Sequence, residues 1–221
     1  MNIKPLKMQL NPNSILNMLL VSVFAYFYWL MLQLTLNYVP YSSNAGFLII
    51  KQTEVTTLPE YRYIFYAHVY TSIFVLLFGF IQFFKFKSAA GIRLHRVAGY
   101  QYIFLLLAFA APSGLYMGLH ANGGIPSKIS FIIQSLLWWA TTFIALQKIK
   151  QRNFTAHRNW MLRSFALCLS AISLRFWKVV IVYLFHLPPM DTYKIIAWLG
   201  WVPNLIIAEI IIQKTTNKTP L

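Results

Sequence analysis

Five histidines, His68, His95, His120, His157 and His186, stand in a 221-residue chain that has only four carboxylates. Imidazoles can hold haem iron, carry protons or anchor a ligand. His95-Arg96 and His157-Arg158 each open an apolar run with the same dipeptide, which puts two imidazoles at matching depth beside two guanidinium groups. His68 lies inside another apolar run, about two turns from its start. Arg163, Arg175 and Lys178 share a single run, and Glu209 lies in the last one. Ionisable groups within hydrocarbon are costly, so they mark either function or helix pairing. Arg163 and Glu209 fall at comparable depth and are expected to form a helix-pinning ion pair. With so few carboxylates, and no Gly-rich phosphate loop, HExxH, CxxC or nucleophile elbow, the common hydrolase and nucleotide-binding chemistries have no foothold. Lone Cys168 excludes an intrachain disulfide.

The elements that carry these residues follow from composition. The chain is 58% hydrophobic and 10% charged, whereas soluble domains are about a quarter charged. Its principal solvent is therefore lipid, and the apolar excess excludes disorder. A span needs about 20 mainly apolar residues, and six runs qualify: about 14–36, 62–84, 97–119, 128–147, 160–185 and 194–213. Turn and breaker residues separate them, and only the 37–60 connection is long. The first run is too long for a signal-peptide core and is read as a retained helix. The expected fold is a single-domain (1–221), all-α integral membrane protein with six transmembrane helices. Helices 2–5 should form an antiparallel four-helix core, with helices 1 and 6 alongside.

The net charge of +15 is a topological signal. Twelve cations fall on one side: Lys4, Lys7, Lys85, Lys87, Arg93, Arg96, Lys148, Lys150, Arg152, Arg158, Lys214 and Lys218. Lys51, Arg62, Lys128 and Lys194 fall on the other, with Glu54, Glu60 and Asp191. The positive-inside rule then makes both termini cytoplasmic and 37–60 an outer loop. No nucleic-acid fold or basic-aromatic platform accompanies the charge, so nucleic acid is not the expected partner.

Helical periodicity places most polar residues inward. On a straight fifth helix, His157, Ser164, Cys168, Arg175, Lys178 and His186 fall within an arc of about 80°. The third run carries His95, Gly99, Tyr102, Ser113 and His120 on one face, the second His68, Ser72, Gly79 and Gln82, and the fourth Gln134, Trp138, Thr141 and Ala145. The third and fifth helices are expected to face one another. Ala110, Gly114 and Gly118 form a small-residue packing ridge, and Pro203-Asn204 should loosen the sixth helix.

From His68 to Ile212 these residues, with Leu94-His95-Arg96-Val97-Ala98-Gly99-Tyr100, Ser113-Gly114-Leu115-Tyr116, Ala156-His157-Arg158-Asn159-Trp160-Met161-Leu162-Arg163-Ser164, Leu174-Arg175, Pro203-Asn204 and Glu209, resemble a bacterial membrane-protein family known as domain of unknown function 2306. The resemblance implies fold, topology and a set of positions, and location in a bacterial inner membrane. More remotely, the paired histidines resemble transmembrane b-type cytochromes of the two-haem, ferric-reductase kind. That resemblance implies haem b, with His95, His157 and His68 as candidate iron ligands and Arg96, Arg158 and Arg175 as further cofactor-binding residues. His95 to His120 is 25 residues, about 37 Å of helix, and His157 to His186 is 29 residues, about 43 Å. Both exceed the ~30 Å hydrocarbon core, so one haem, or a haem-free relative with the same bundle, stands beside two.

Two functional classes result. The first is haem binding and transmembrane electron transfer, as a membrane oxidoreductase component. The second is a haem-free protein using a polar cavity around His68 and Arg175 for a small hydrophobic, anionic or lipidic ligand, or a membrane subunit that docks a partner complex.

Overall fold

In lipid a chain must satisfy its backbone hydrogen bonds internally, and apolar runs of this length do so as helices. The computed structural model describes residues 12–84 and 88–216; Lys4, Lys7, Lys85, Lys87 and Lys218, used above for orientation, lie outside them. Among the described residues there are helices and no strand. In chain order they are α1 (Pro12–Leu36), a 3-10 helix (Gly46–Lys51), α2 (Gln52–Thr57), α3 (Tyr61–Ile81), α4 (Ala89–Leu105), a π-turn (Leu106–Ala110), α5 (Ala111–Leu119), α6 (Gly124–Lys150), α7 (Phe154–Cys168), α8 (Ser170–Phe185), α9 (Pro189–Leu199) and α10 (Val202–Thr216). Five helices are long and apolar enough to span a membrane, and six if the bent pair α7–α8 is one span. The protein is an all-α integral membrane protein. Its outward face, with Leu20, Tyr26, Trp29, Val179 and Ile207 exposed, suits lipid and not water.

Three elements differ from the sequence expectation. The third span begins at Ala89, eight residues before the expected start, because the Ser88 hydroxyl accepts the Gly91 N–H and caps the helix. Its 31 residues make about 46 Å of rise, so the turns bearing Arg93, His95 and Arg96 project past a ~30 Å core. Inside the same span, Pro112 supplies no N–H, and the preceding turn widens until the Ala111 N–H reaches Leu106 O, five residues back.

The fifth span is not straight. It bends by 41° between α7 and α8, which breaks the continuous polar stripe expected from His157 to His186. Ser164 and Cys168 on α7 stay buried, whereas Arg175, Lys178 and His186 on α8 are exposed. No proline or glycine lies at the bend. The Asn204 amide donates to Ala166 O at 3.2 Å, the carbonyl that an unbroken helix would offer to the Ser170 N–H, and a side chain inserted in the ladder is a known cause of kinks. The sixth span also divides, at Gly200 and Trp201, one turn before the point where Pro203 withholds a donor.

The core consequently has two halves. Toward the end rich in Lys and Arg, here the basic end, α3, α4, α6 and α7 surround Tyr102, Phe165, Trp138 and Leu167. Toward the other end α8 swings away onto α9, and α9 takes its place against α6. The segment 37–60 closes that end as a lid, with Leu48 buried among Tyr61, Phe65 and Tyr66. α1 packs on α3, with Phe24 stacked on Phe80.

Candidate functional site

His68 sits where the π-turn opens the third span. Its Nδ1 lies 3.0 Å from Ala110 O and 3.1 Å from Ser113 Oγ. A carbonyl only accepts, so Nδ1 carries the proton and Nε2 keeps a free lone pair. The Ser113 hydroxyl donates to Phe109 O at 2.6 Å, which keeps its oxygen turned to the imidazole. Gly114 makes the room: a Cβ there would stand 3.2 Å from His68 Cε1 and 3.3 Å from Ser135 Oγ. Arg175 reaches the same region from α8, within electrostatic range of the His68 ring and of the phenol of Tyr38 at the start of the lid. Its Nη1 donates to Ala171 O at 2.5 Å. One turn from His68 on α3, the Ser72 hydroxyl is buried without a hydrogen-bond partner.

Below this level the interior is held by a chain of hydroxyls. Tyr102, Ser164 and Thr142 are fully buried, with Tyr102 Oη 2.7 Å from Ser164 Oγ and Ser164 Oγ 2.6 Å from Thr142 Oγ1. Thr142 donates its single proton to Trp138 O at 2.8 Å, so Ser164 must donate to Thr142 and Tyr102 to Ser164. Three helices, α4, α6 and α7, are tied by one directional chain. The third and fifth spans meet through this contact.

At the basic end His157 Nδ1 donates to Ala145 O at 2.8 Å, from α7 to α6. His95 on α4 is within electrostatic range of His157, and its own carbonyl accepts from Gln82 at 3.2 Å. His157 is half-buried; His95, Arg96 and Arg158 are exposed. Gln82 is fourteen residues beyond His68 on the α3 side, about 21 Å of rise, so His68 lies far from His95, which is within electrostatic range of His157 alone among the histidines. Arg175 belongs with His68, not with the histidine pair. Among the described residues no group of three or more His, Cys, Asp or Glu side chains could hold a metal ion.

Arg163 and Glu209 meet in a bidentate pair, Nε to Oε1 at 2.5 Å and Nη2 to Oε2 at 2.8 Å, with the guanidinium over the Trp160 ring at 4.5 Å. At the lid, Lys51 is 1% exposed. It donates to Glu54 Oε1 at 2.6 Å and to the His120 carbonyl. Burial pushes the Glu54 carboxyl up, but the Lys51 hydrogen bond and charge outweigh it and hold the group below its ordinary range. The Tyr116 hydroxyl donates to Glu60 at 2.6 Å and holds that carboxyl low as well.

Sequence reasoning missed the π-turn, the buried Lys51 and the hub formed by Asn204. Pro112 in mid-span was the available signal for the first. Lys51 gave none, because a lysine between spans is normally solvated. Asn204 donates to Ala166 O and Gly200 O and accepts from Ser173 Oγ at 3.0 Å, a set of partners that only the tertiary fold supplies.

Fold and site together define a multi-span helical membrane protein with a polar interior. A family model described as "Predicted membrane protein (DUF2306)" matches residues 65–212, and the chain belongs to that family. The match takes in α3 from Phe65 and runs to Ile212, so it includes both histidine groups and the Arg163–Glu209 pair. No curated protein and no solved structure matches the chain.

Proposed function

We propose that this protein is an electron-transfer component of a bacterial inner membrane that holds a single haem b between His95 and His157 at the basic end of the bundle, with both termini cytoplasmic. The observation that carries this reading is the setting of His157: its Nδ1–H is fixed on the Ala145 carbonyl, the outer-shell bond that orients an iron-ligating imidazole and presents Nε2. His95 approaches from the facing span. These residues fit a bis-imidazole site. Arg96 and Arg158, exposed at the same end, would neutralise the propionates. When bound, haem b supplies a one-electron Fe(III)/Fe(II) couple. Deeper in the bundle, Phe165, Tyr102 and the hydroxyl chain would keep water out. The topology rests on the excess of Lys and Arg at the basic end. The test is the visible spectrum of the purified full chain, before and after haem reconstitution. A Soret band with the split bands of bis-histidine haem is expected; no band in either preparation overturns the reading.

A second reading is favoured by the Arg175–His68 region. Arg175 is an intramembrane cation with no carboxylate beside it, which marks a ligand site in a protein that needs no haem. Ligand retained through purification and lost from folded Arg175→Ala would support it.

A further inference from the structure

Every carboxylate of the chain is already engaged. Glu54 holds Lys51, Asp191 holds Lys194, Glu209 holds Arg163, and Glu60 takes the Tyr116 hydroxyl. Arg175 is left with one bond to the carbonyl of Ala171 in its own helix, out of five N–H donors that a guanidinium can offer. It lies ten residues from the end of α8, about 15 Å of rise, which is well within hydrocarbon depth. It is nevertheless exposed on the protein surface. A side chain exposed at that depth faces lipid or a cleft that opens to it.

The 41° bend produces this situation. α8 packs onto α9 and scarcely on α6 or α3, which leaves room for an opening between α8 and α3. His68 lies deep on α3 and is still only partly covered. Phe176 and Val179, beside Arg175 and one turn on, are half or more exposed and give the opening an apolar wall. The unpartnered Ser72 hydroxyl lies one turn from His68.

The site thus combines a cation with spare donors, a neutral imidazole that accepts, an orphan hydroxyl and an apolar wall reached from the side. From this we infer that the opening between α3 and α8 is a laterally entered site for a membrane lipid whose head carries an oxyanion and a neighbouring hydroxyl. The oxyanion sits on Arg175, the hydroxyl donates to His68 Nε2, and an acyl chain lies along Phe176 and Val179. This rests on the second reading above, that the Arg175–His68 region binds a ligand, and it is independent of haem at the basic end.

The test uses the full chain in phosphatidylcholine nanodiscs with three photoactivatable probes: phosphatidylglycerol, a fatty acid and uncharged diacylglycerol. Cross-linked peptides are mapped by mass spectrometry. Phosphatidylglycerol should label α3 and α8. The labelling should fall at least tenfold in Arg175→Gln, persist in Arg175→Lys, and fall severalfold in His68→Phe. Arg175→Lys, with elution as a single folded species, separates a lost head contact from a lost fold. Equal labelling by diacylglycerol overturns the oxyanion contact, and equal labelling by the fatty acid overturns the hydroxyl contact to His68. If soluble glycerol 3-phosphate at the probe's concentration abolishes labelling, the ligand-site reading survives and the lipid is overturned. Labelling of neither helix by any probe overturns both.

Discussion

Arg163 and Glu209 join α7 to α10 through two parallel hydrogen bonds of 2.5 and 2.8 Å. A planar guanidinium matches a carboxylate in this way, whereas a lysine would offer only a point charge. The pair is partly accessible, Arg163 at 21% and Glu209 at 39%, so its free energy is discounted from that of a sealed pair.

Glu209→Gln should cost about 1–3 kcal/mol, less than the loss expected for a fully buried pair because solvent screens it. Arg163→Gln should cost a similar amount, and the double replacement less than the sum of the two. Thermal unfolding in detergent measures all three. A Glu209→Gln protein that keeps its melting temperature but loses a spectroscopic or binding signal would assign the pair to function instead of packing.

The histidines should separate by position. In reconstituted protein, His95→Ala and His157→Ala should each remove low-spin bis-histidine absorption, while His68→Asn leaves it in place, since about 21 Å of helix separates His68 from the pair. Absorption and electron paramagnetic resonance read the difference. A spectrum that depends on His68 and ignores His157 would refute this assignment.

Gly79 lets the Phe165 and Tyr102 rings pack directly against the α3 backbone. A Cβ there would lie 2.6 Å from the Phe165 ring and 2.7 Å from the Tyr102 ring, both in the packed core. Gly79→Ala should destabilise by about 1–3 kcal/mol through overpacking. Gly114→Ala, where the nearest atoms stand at 3.2 and 3.3 Å, should cost less. Chemical denaturation of the pair of variants gives the order.

The lid should loosen in acid. Glu54 and Glu60 are both held below the ordinary glutamate range by their partners. A carboxyl lowered in the folded state stabilises fully above its unfolded value of about 4.3, and that contribution is lost as pH falls through the lower folded value. Hydrogen exchange over 46–60 should therefore be flat between pH 5 and 8, after correction for intrinsic rates, and increase below about pH 4. Glu54→Gln should raise exchange at neutral pH; unchanged exchange in that variant would show that Lys51 and the carbonyl of His120 suffice.

The all-helical membrane fold with five or six spans was legible because twenty-residue apolar runs separated by Gly, Pro and charge have few alternative readings in lipid. The early start of the third span was not, since Arg93, His95 and Arg96 interrupt the apolar run until Ser88 is seen to cap a helix. The inward faces of His68, Tyr102 and Ser164 were legible from periodicity. Their partners were not: His68 meets Ala110 and Ser113 only because Pro112 widens the turn, and the Tyr102–Ser164–Thr142 order depends on three helix rotations at once. The bend at Leu169 escaped because its cause is Asn204, 38 residues away in sequence from the carbonyl it captures.

That amide has a mechanical consequence. Asn204 grips the last turn of α7 through Ala166, the first turn of α8 through Ser173, and the end of α9 through Gly200. Two broken spans are thereby riveted at one point, like the blades of a pair of scissors. A change of tilt in α8 has to drag the α9–α10 joint with it or tear the Ser173 bond, so movement of α8 relative to α3 is geared to the sixth span.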